Sequence, residues 1–298
     1  MKFAVCNELF GSMDIEAAAE ICKKAGYDGI EFTPFTVFGS FSPAEVQAGI
    51  VKIKKALKDN DLSFTGFHWL LANAPGGTTL SATGEGHPLG AAGAAGEGGK
   101  AMSISSPDKL QREAAIQRLK ILLNAAGELG GGFLVLGSPK QRGSSAGQSS
   151  SDAAERFKRS LCSLADYAVN CNSSILIEAL DHSQCDVINT MAQAQELVSA
   201  ISSPGITGMF DFHNCGDETE SWDVLIRKYK ALIKYVHINE WDGGPPGSGS
   251  SDYAPAFKAL REIGYRGWIS MEIFIQPEDP FRIIADALAY MKRLAAFD

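Results

Sequence analysis

The sequence predicts an α/β protein, a single (β/α)8 barrel domain over residues 1–298. Short apolar segments that can form buried strands alternate eight times with segments whose apolar residues recur at helical spacing. The composition does not change regime along the chain, and 298 residues is an ordinary length for one such barrel. Strand and helix in regular alternation indicate a parallel sheet with helices packed on its outside.

The predicted strands are short apolar runs bounded by polar or glycine-rich loops. They are, in chain order, KFAVCNEL (2–9), GIEFTPF (29–35), SFTGFHWLL (63–71), GFLVLGS (132–138), SILIEAL (174–180), ITGMFDFH (206–213), IKYVHINE (233–240) and GWISMEIF (267–274). An open doubly wound sheet is the alternative. That fold would normally carry a glycine-rich phosphate-binding motif after its first strand, and NELFGSMD at 7–14 is not one.

The predicted helices follow from apolar periodicity and from residues suited to helix ends. Gly26 can end the first helix, and Ser42–Pro43 and Ser106–Pro107 supply an N-cap followed by a first-turn proline. The predicted helical ranges are 14–25, 44–60, 108–130, 152–170, 191–202, 221–231, 253–263 and 280–297. Together with the strands, they complete the TIM barrel.

Residues 72–105 interrupt this alternation after the third strand. The segment is dominated by Gly, Ala, Ser and Thr, and it has too few apolar residues to order itself by burial. We therefore expect a flexible Gly/Ala-rich insert. Because it follows a strand, it belongs at the catalytic mouth of the barrel, where it is either a lid or an insert without a role.

Composition limits the classes of partner. The formal net charge of −8 argues against a nucleic-acid-binding surface, which usually needs a basic face. No apolar run is long enough to span a bilayer, and Asn7 and Glu8 interrupt the short apolar N-terminus, unlike a signal peptide. Six cysteines without a C-x-x-C pair indicate reduced thiols. We expect a cytoplasmic protein with a small-molecule substrate and neither nucleic-acid nor membrane partners.

Residues with metal-binding side chains end four consecutive predicted strands. Glu178 ends the fifth, Asp211 the sixth, His237 the seventh and Glu272 the eighth. Strand ends converge on one mouth in this fold, and three carboxylates crowded there repel one another unless a cation lies among them. Three carboxylates and an imidazole suit Mn²⁺, Mg²⁺ or Co²⁺. A single glutamate or histidine at a strand end is more often a salt-bridged or hydrogen-bonded residue of the barrel rim. The hypothesis of a metal site therefore depends on finding all four residues together.

Several segments resemble the xylose isomerase-like TIM barrel superfamily, and within it the ketose 3-epimerase group of sugar and sugar phosphate isomerases and epimerases. GYDGIEF resembles its second-strand motif, and IEAL…DVINT resembles its E-P-L…N-x-x-N-T motif. MFDFHN, VHINE…PPGSG and ALREIGYRGWISMEIF resemble its last three strands and its PPGxG loop. The resemblance covers most of the chain outside the insert and is most specific in the second half.

The resemblance implies one divalent metal ion held by Glu178, Asp211, His237 and Glu272. Mn²⁺ is the expected ion, with Mg²⁺, Co²⁺ or Zn²⁺ as alternatives. It also implies that Glu178 and Glu272 are catalytic and face opposite sides of the substrate carbon, and that the protein is a homodimer or homotetramer.

A pair of carboxylates suits proton transfer beside a carbonyl. Removing the proton forms an enediolate, whose charge a metal ion stabilises. One carboxylate removes the proton, and the other returns it on the opposite face for epimerisation, or to the neighbouring carbon for aldose–ketose isomerisation. Contact with a metal also explains why Glu178 can remain ionised behind an apolar strand.

Five further residues are candidate substrate contacts, and for each of them packing or solvation is the alternative. They are His68, Lys140, Gln184, His213 and Glu240. Arg142 could bind a phosphate or carboxylate group, and Trp69 and Trp241 could stack on a sugar face. Glu8 and Glu31 either line the pocket or face water.

Four departures from the resembled pattern leave the particular sugar open. Ala179 stands where the group typically has proline, and Gln184 stands where it tends to carry a glutamate. Residues 242–244 occupy the place of a frequent arginine, and Asp211 and His213 form D-x-H where D-x-x-H is commoner. All four concern substrate handling rather than metal binding.

The favoured function is therefore a metal-dependent sugar isomerase or epimerase. The alternative reaction on the same barrel is a dehydratase or lyase acting on a keto-inositol, dehydroshikimate or C-glycoside-like substrate, since proton abstraction beside a carbonyl starts these reactions too. DNA repair of the endonuclease IV type is disfavoured, because its three zinc ions demand more histidines than the five present and a basic face. A non-catalytic sugar-binding barrel is disfavoured because both proton-handling glutamates are present.

Overall fold

The eight parallel strands close into a barrel in sequential order, which confirms the predicted TIM barrel. The structure is a computed structural model and describes residues 1–72, 102–145 and 147–296. The strands are β1 (Lys2–Cys6), β2 (Gly29–Phe32), β3 (Ser63–Phe67), β4 (Phe133–Leu136), β5 (Ser174–Ile177), β6 (Ile206–Asp211), β7 (Ile233–Ile238) and β8 (Trp268–Met271). All eight are shorter than the predicted segments, whose last residues form the loops at the mouth.

The helices lie outside this barrel. They are α1 (Ile15–Ala25), α2 (Pro34–Val37), α3 (Pro43–Asp59), α4 (Lys109–Glu128), α5 (Ser150–Cys162), α6 (Ala165–Asn170), α7 (Met191–Ile201), α8 (Trp222–Lys228), α9 (Ala254–Glu262) and α10 (Pro280–Ala296). The helix predicted over 152–170 is divided in two at Ser163 and Leu164, and the short helix α2 was not predicted. Within the described ranges, no helix is long and apolar enough to cross a membrane.

Helix ends follow the predicted chemistry with one exception. Gly26 adopts the left-handed conformation that ends α1, with φ of 96°, and Ser42 caps α3 by accepting a bond from the Glu45 amide. Ser106 does not cap α4. Asp108 does, because its carboxylate accepts a bond from the amide of Leu110 at 2.9 Å. Ser106, two residues earlier, instead accepts from the Asp108 amide at 3.1 Å.

On β5, β6 and β7 the side chains inside the barrel change from a buried cluster to polar groups over two residues. Val135, Leu176, Met209 and Tyr235 form a buried cluster of their own inside the barrel, separate from the larger core that includes the helices. Because side chains alternate along a strand, the next inward positions on β5, β6 and β7 are Glu178, Asp211 and His237. The candidate site therefore lies directly above an apolar layer that excludes water from below. On β4 the corresponding position is Gly137, which leaves space that another side chain occupies.

The predicted insert is buried at both of its described ends. Ala72 is 2% exposed, and Ile104 and Ser105 are at most 1% exposed. The Ile104 amide also donates to the carbonyl of Gln141 at 2.9 Å. Ala72, Ile104 and Ser105, at the two ends of the predicted insert, are therefore part of the packed barrel. Residues 73–101 lie outside the described residues.

Candidate metal centre and active site

Four side chains meet at the C-terminal end of the barrel, from neighbouring strands β5 to β8. Glu178, Asp211, His237 and Glu272 each offer a ligand atom, and these atoms all lie within 4.8 Å of one another. All four residues are buried. Asp211 and His237 are also register partners between β6 and β7, and His237 pairs with Ser270 two residues before Glu272. The register of the sheet therefore places the predicted ligand set at one point.

The imidazole of His237 is oriented by a carboxylate behind it. Its Nε2 atom lies 3.1 Å and 3.0 Å from the two carboxylate oxygens of Glu31, which is fully buried on β2. Tyr235 donates to the same carboxylate at 2.9 Å, and the Cys6 thiol lies 3.4 Å from it. The acceptor on Nε2 holds a proton on this nitrogen and directs Nδ1 into the site.

The Nδ1 atom of His237 provides a test of whether the site fits a cation. This atom is buried and makes no well-aligned hydrogen bond in the structure. It lies 3.0 Å from Glu272 Oε2 and 4.0 Å from Asp211 Oδ2. Burial opposes a charge on His237, but Glu31 and Glu272 raise its pKa well above the ordinary value, so without an ion Nδ1 carries a proton toward these carboxylates. A divalent cation can replace that proton. One nitrogen and three carboxylates in that arrangement fit a divalent cation of the manganese or magnesium type.

The Glu178 carboxylate is held by Asn214. Asn214 donates its side-chain amide to Glu178 at 3.0 Å and to Asp211 at 2.9 Å, so that it bridges the two carboxylates. Burial first, and the negative charge of Asp211 second, raise the pKa of Glu178 well above its ordinary value. A bound cation would oppose both effects.

Gly137 makes room for the Glu178 carboxylate. A Cβ atom at this position would lie 1.4 Å from Glu178 Oε2. Any larger residue would displace the carboxylate, since real Cβ contacts are never so short. From the sequence, Gly137 was predicted only to lie at the end of a strand. Its function, to leave space for the Glu178 carboxylate, follows from the three-dimensional structure.

Arg142 is a buried structural cation rather than a substrate ligand. Its guanidinium is fully buried and donates to three backbone carbonyls, those of Leu136, Glu178 and Ile188. These carbonyls belong to the ends of β4 and β5 and to the loop before α7. The arginine thereby connects the backbone that carries Glu178 to its neighbours.

A second group of buried charges lies on the β1–β3 side of the mouth. His68 Nε2 is 3.0 Å from Glu8 Oε1, and its Nδ1 is 3.4 Å from Glu31 Oε1. Burial opposes the charge on His68, but the neighbouring Cys6, Glu8 and Glu31 outweigh it and raise the pKa of His68 well above its ordinary value. Burial likewise opposes the charge on Glu31, but His237 and His68 lower its pKa. Glu8 and Glu31 are thus sequestered by histidines and do not face water.

An open cavity of about 520 Å³, including its solvent mouth, lies above these side chains. Its walls include both glutamates with acid–base potential, Glu178 and Glu272, and three of the predicted substrate contacts, His68, Gln184 and His213. Asn214, Trp69 and Phe274 also line it. The cavity therefore places candidate hydrogen-bonding groups around the carboxylates.

Two predicted substrate contacts are not among the residues that line the cavity. Lys140 is exposed on the turn Pro139–Gln141, one residue beyond the wall formed by Ser138 and Pro139. Glu240 is buried, and its carboxylate accepts backbone bonds from Gly247 at 2.8 Å and Ser251 at 3.3 Å. Its charge is used to hold the loop after β7, which explains why it does not point at a ligand.

Asn214 had no function predicted from the sequence, and Glu31 was predicted either to line the pocket or to face water. Asn214 directly follows the D-x-H motif, which was the available signal, but an asparagine after a strand usually indicates a turn. Glu31 is an acidic residue inside an apolar strand, and such a residue needs a buried partner. The partner, His237, is 206 residues away, so only the closed barrel identifies it.

A family model of the xylose isomerase-like TIM barrel matches residues 19–294, which is most of the chain. The chain belongs to this family. The predicted superfamily is thereby confirmed.

Curated relatives in this family include sugar epimerases. The 3-dehydro-D-guloside 4-epimerase of Escherichia coli is 28% identical over 133 residues, 45% of this chain and 51% of that protein. The D-psicose 3-epimerase of Enterocloster bolteae is 33% identical over 121 residues, 40% of each chain. The chain thus spans about half the length, or less, of these curated relatives.

A solved structure shares the fold over nearly the whole chain. The 3-keto-D-glucoside 4-epimerase from E. coli superposes with a TM-score of 0.77 and 22% identity. The superposition covers 98% of this chain and 99% of that one. At this identity the likeness establishes the fold, and the function must be argued from the site itself.

Proposed function

We propose that the protein is an enzyme, a divalent-metal-dependent sugar epimerase or isomerase. The single observation that carries this proposal is the position of two buried glutamates, Glu178 and Glu272. Both belong to the group that fits a cation, and both line the same cavity. The relatives named above are sugar epimerases, which supports the reaction class.

The chemistry assigns one glutamate to each face of the reacting carbon. One carboxylate takes the proton from a carbon beside the substrate carbonyl, and the C–H electron pair moves into an enediolate. The other carboxylic acid then returns a proton to the opposite face, or to the adjacent carbon in an isomerisation. A metal bound to Glu178, Asp211, His237 and Glu272 would polarise the carbonyl and stabilise the enediolate charge. We propose Mn²⁺ as that ion, because its ligand preference matches three carboxylates and one imidazole.

We propose that polar residues of the cavity wall bind and orient the substrate. His68, Gln184 and His213 line the cavity beside the glutamates. Gln184 is itself fixed by donating to Asn214 at 2.9 Å, and His213 lies with its Nδ1 3.2 Å from the carbonyl of Glu240. Polar groups held in this way can bind sugar hydroxyls without first losing side-chain entropy. Lys140 and Glu240 are not proposed to contact the substrate, because neither lines the cavity.

We propose that the enzyme is located in the cytoplasm. All six cysteines are free in the structure, which is in keeping with a reducing compartment. The substrate is proposed to be a small sugar or sugar-like molecule. The assembly is proposed to be a homodimer or homotetramer, and light scattering of the purified protein measures it directly.

Solvent exchange tests the reaction class. The metal content of the purified protein is measured first, and about one divalent ion per chain is expected. The holoenzyme is then incubated in D₂O with a panel of ketoses and keto-sugars. A substrate should gain deuterium at the carbon beside its carbonyl, and the product should carry deuterium at the same position or at the neighbouring carbon. Full activity in the presence of a strong chelator, with no metal retained, would contradict the proposal. Loss of water or of a substituent from the substrate would instead identify a lyase.

A further inference from the structure

The polar atoms of the buried Asn214 side chain are all engaged within the protein. Its Nδ2 atom donates to Glu178 Oε1 at 3.0 Å and to Asp211 Oδ2 at 2.9 Å. Its Oδ1 atom accepts from Gln184 Nε2 at 2.9 Å. The two carboxylates lie at the ends of different strands, β5 and β6, so that one amide joins two of the predicted metal ligands.

The direction of the Asn214 amide follows from these contacts. If the amide were turned by half a rotation, Oδ1 would take the place of Nδ2 beside the two carboxylate oxygens, and lone pairs would face lone pairs. Nδ2 would then face the Nε2 donor of Gln184. In the observed direction every contact pairs a donor with an acceptor. An amide nitrogen that donates in this way cannot ligate a cation, so Asn214 acts on the carboxylates and not on an ion itself.

Gln184 determines that direction, because it supplies the donor to Asn214 Oδ1. Its Nε2 atom also donates to Asp181 Oδ2, so both of its N–H groups are used. Asp181 is in turn fixed by the amide of Ser183, which donates to Asp181 Oδ1 at 3.0 Å. A glutamate at position 184 would face Asp181 and Asn214 Oδ1 without a proton to donate. The amide at this position, a departure from the resembled pattern, therefore has a structural reason.

Asp211 is fixed at both of its oxygens by the loop that follows β6. The His213 amide donates to Asp211 Oδ1 at 2.7 Å, and Asn214 donates to Asp211 Oδ2. The same loop thus carries a fixed carboxylate and the amide that reaches Glu178 at the end of the neighbouring strand. Two buried carboxylates repel each other when no ion lies between them. The shared donor opposes that separation.

We propose that Asn214 is a positioning residue of the metal centre: it holds Glu178 and Asp211 at ligand spacing before an ion binds, and Gln184 acts through it by fixing the direction of its amide. This role rests on the proposed function, since it concerns the metal site of that enzyme. Carboxylates that are already held together lose less conformational freedom when they bind a cation, and the ion binds more tightly as a result.

Titration of the chelator-stripped protein with Mn²⁺ by isothermal calorimetry tests both parts. Asn214→Leu keeps the branched shape and removes both donors, so the Mn²⁺ dissociation constant should rise about 10–100-fold. Gln184→Met removes the donor to Asn214 without adding a charge, and a rise of about threefold to tenfold is expected from one lost hydrogen bond. In the Asn214→Leu background, Gln184→Met should change the dissociation constant less than about twofold, because the residue through which it acts is gone.

Asn124→Leu is the matched control. Asn124 is exposed on α4, and its side chain accepts from the Tyr167 hydroxyl at 2.9 Å. The dissociation constant should stay within about twofold of the wild-type value. Denaturant unfolding of the chelated proteins shows whether each variant is folded. If Asn214→Leu does not fold, Asn214→Ala replaces it with the same expectation.

Unchanged Mn²⁺ affinity in a folded Asn214 variant would overturn the positioning role, even if the variant is less stable, because Asn214 would then support only the fold. Equal effects of Gln184→Met with and without Asn214 would overturn the part assigned to Gln184. A wild-type protein that binds no Mn²⁺ would contradict the proposed metal centre and this role together. Weakened binding in the variants, with no deuterium exchange on any substrate, would support the role while the proposed reaction fails.

Discussion

The two sides of the barrel mouth both bury carboxylates, but they neutralise them differently. On the β1–β3 side, His68 lies between Glu8 and Glu31, at 3.0 Å and 3.4 Å. Its charge and the N–H of His237 satisfy those carboxylates from within the protein. Each carboxylate on this side therefore has a histidine partner inside the protein, although burial still raises the pKa of Glu8.

The β5–β8 side has a single histidine for three carboxylates. Glu178, Asp211 and Glu272 meet with only the amide of Asn214 and the imidazole of His237 among them. Burial and mutual repulsion raise the pKa of Glu178, while His237 lowers that of Glu272 against the effect of burial. Burial of an acidic group is therefore not enough to indicate a metal site. What distinguishes the β5–β8 side is that its three carboxylates outnumber the positive groups close to them.

The largest effect is expected on the β5–β8 side. Glu272→Gln keeps the shape of the side chain and removes a base, so kcat should fall about a hundred- to ten-thousand-fold. Steady-state kinetics on a substrate found by deuterium exchange measure this loss. The variant must be shown to retain its metal by elemental analysis, because Glu272 is also a predicted ligand. Undiminished turnover in a metal-loaded Glu272→Gln would show that this side is not the catalytic one.

On the β1–β3 side we expect a loss of stability. His68→Asn leaves Glu8 and Glu31 buried without their cation, which should lower the free energy of unfolding by roughly 3 kcal/mol. The effect should depend on pH. Because the pKa of His68 is raised in the folded protein, its contribution is fully present below the ordinary histidine pKa of about 6.5 and is lost as pH rises through the raised value.

Denaturant unfolding of the chelated wild type and of His68→Asn, measured across this pH range, checks that expectation. The difference between them should shrink as pH rises. A difference that is constant with pH would mean that His68 contributes packing rather than charge.

A smaller effect is expected where the two sides meet. Glu31→Gln keeps a side chain of the same shape behind His237 but weakens the acceptor on Nε2. Metal affinity should fall about 10–100-fold, the usual effect of losing such a carboxylate partner. Isothermal titration with Mn²⁺ measures it. The catalytic constant at saturating metal should change much less than in Glu272→Gln, and an unchanged affinity would remove Glu31 from the orientation of His237.

The smallest effect is expected for a cation outside the cavity. Lys140→Ala should alter kcat and KM less than about twofold, since Lys140 is exposed and does not line the cavity. The same kinetic assay measures this change. A loss of tenfold or more would show that the loop after β4 moves over the substrate, and would restore Lys140 as a contact.

Much of this protein could be predicted from its sequence, because strand and helix patterns are local. The barrel and its strand order follow from the alternation of apolar runs and helices, and the side chains that end β5 to β8 follow from the fold's geometry. The boundaries were less predictable. Two residues, Ser163 and Leu164, divide what periodicity read as one helix, and the cap of α4 shifted from Ser106 to Asp108.

The chemical groups at the strand ends could be predicted from the chain alone, since each of Glu178, Asp211, His237 and Glu272 follows its own apolar run. The partners that compensate each group could not, because they come from other strands. Gly137 makes room for Glu178, and Glu31 reaches His237 across the barrel. The physical reason is that charge and packing act over a few ångströms in space, and a closed barrel brings together residues that lie far apart along the chain.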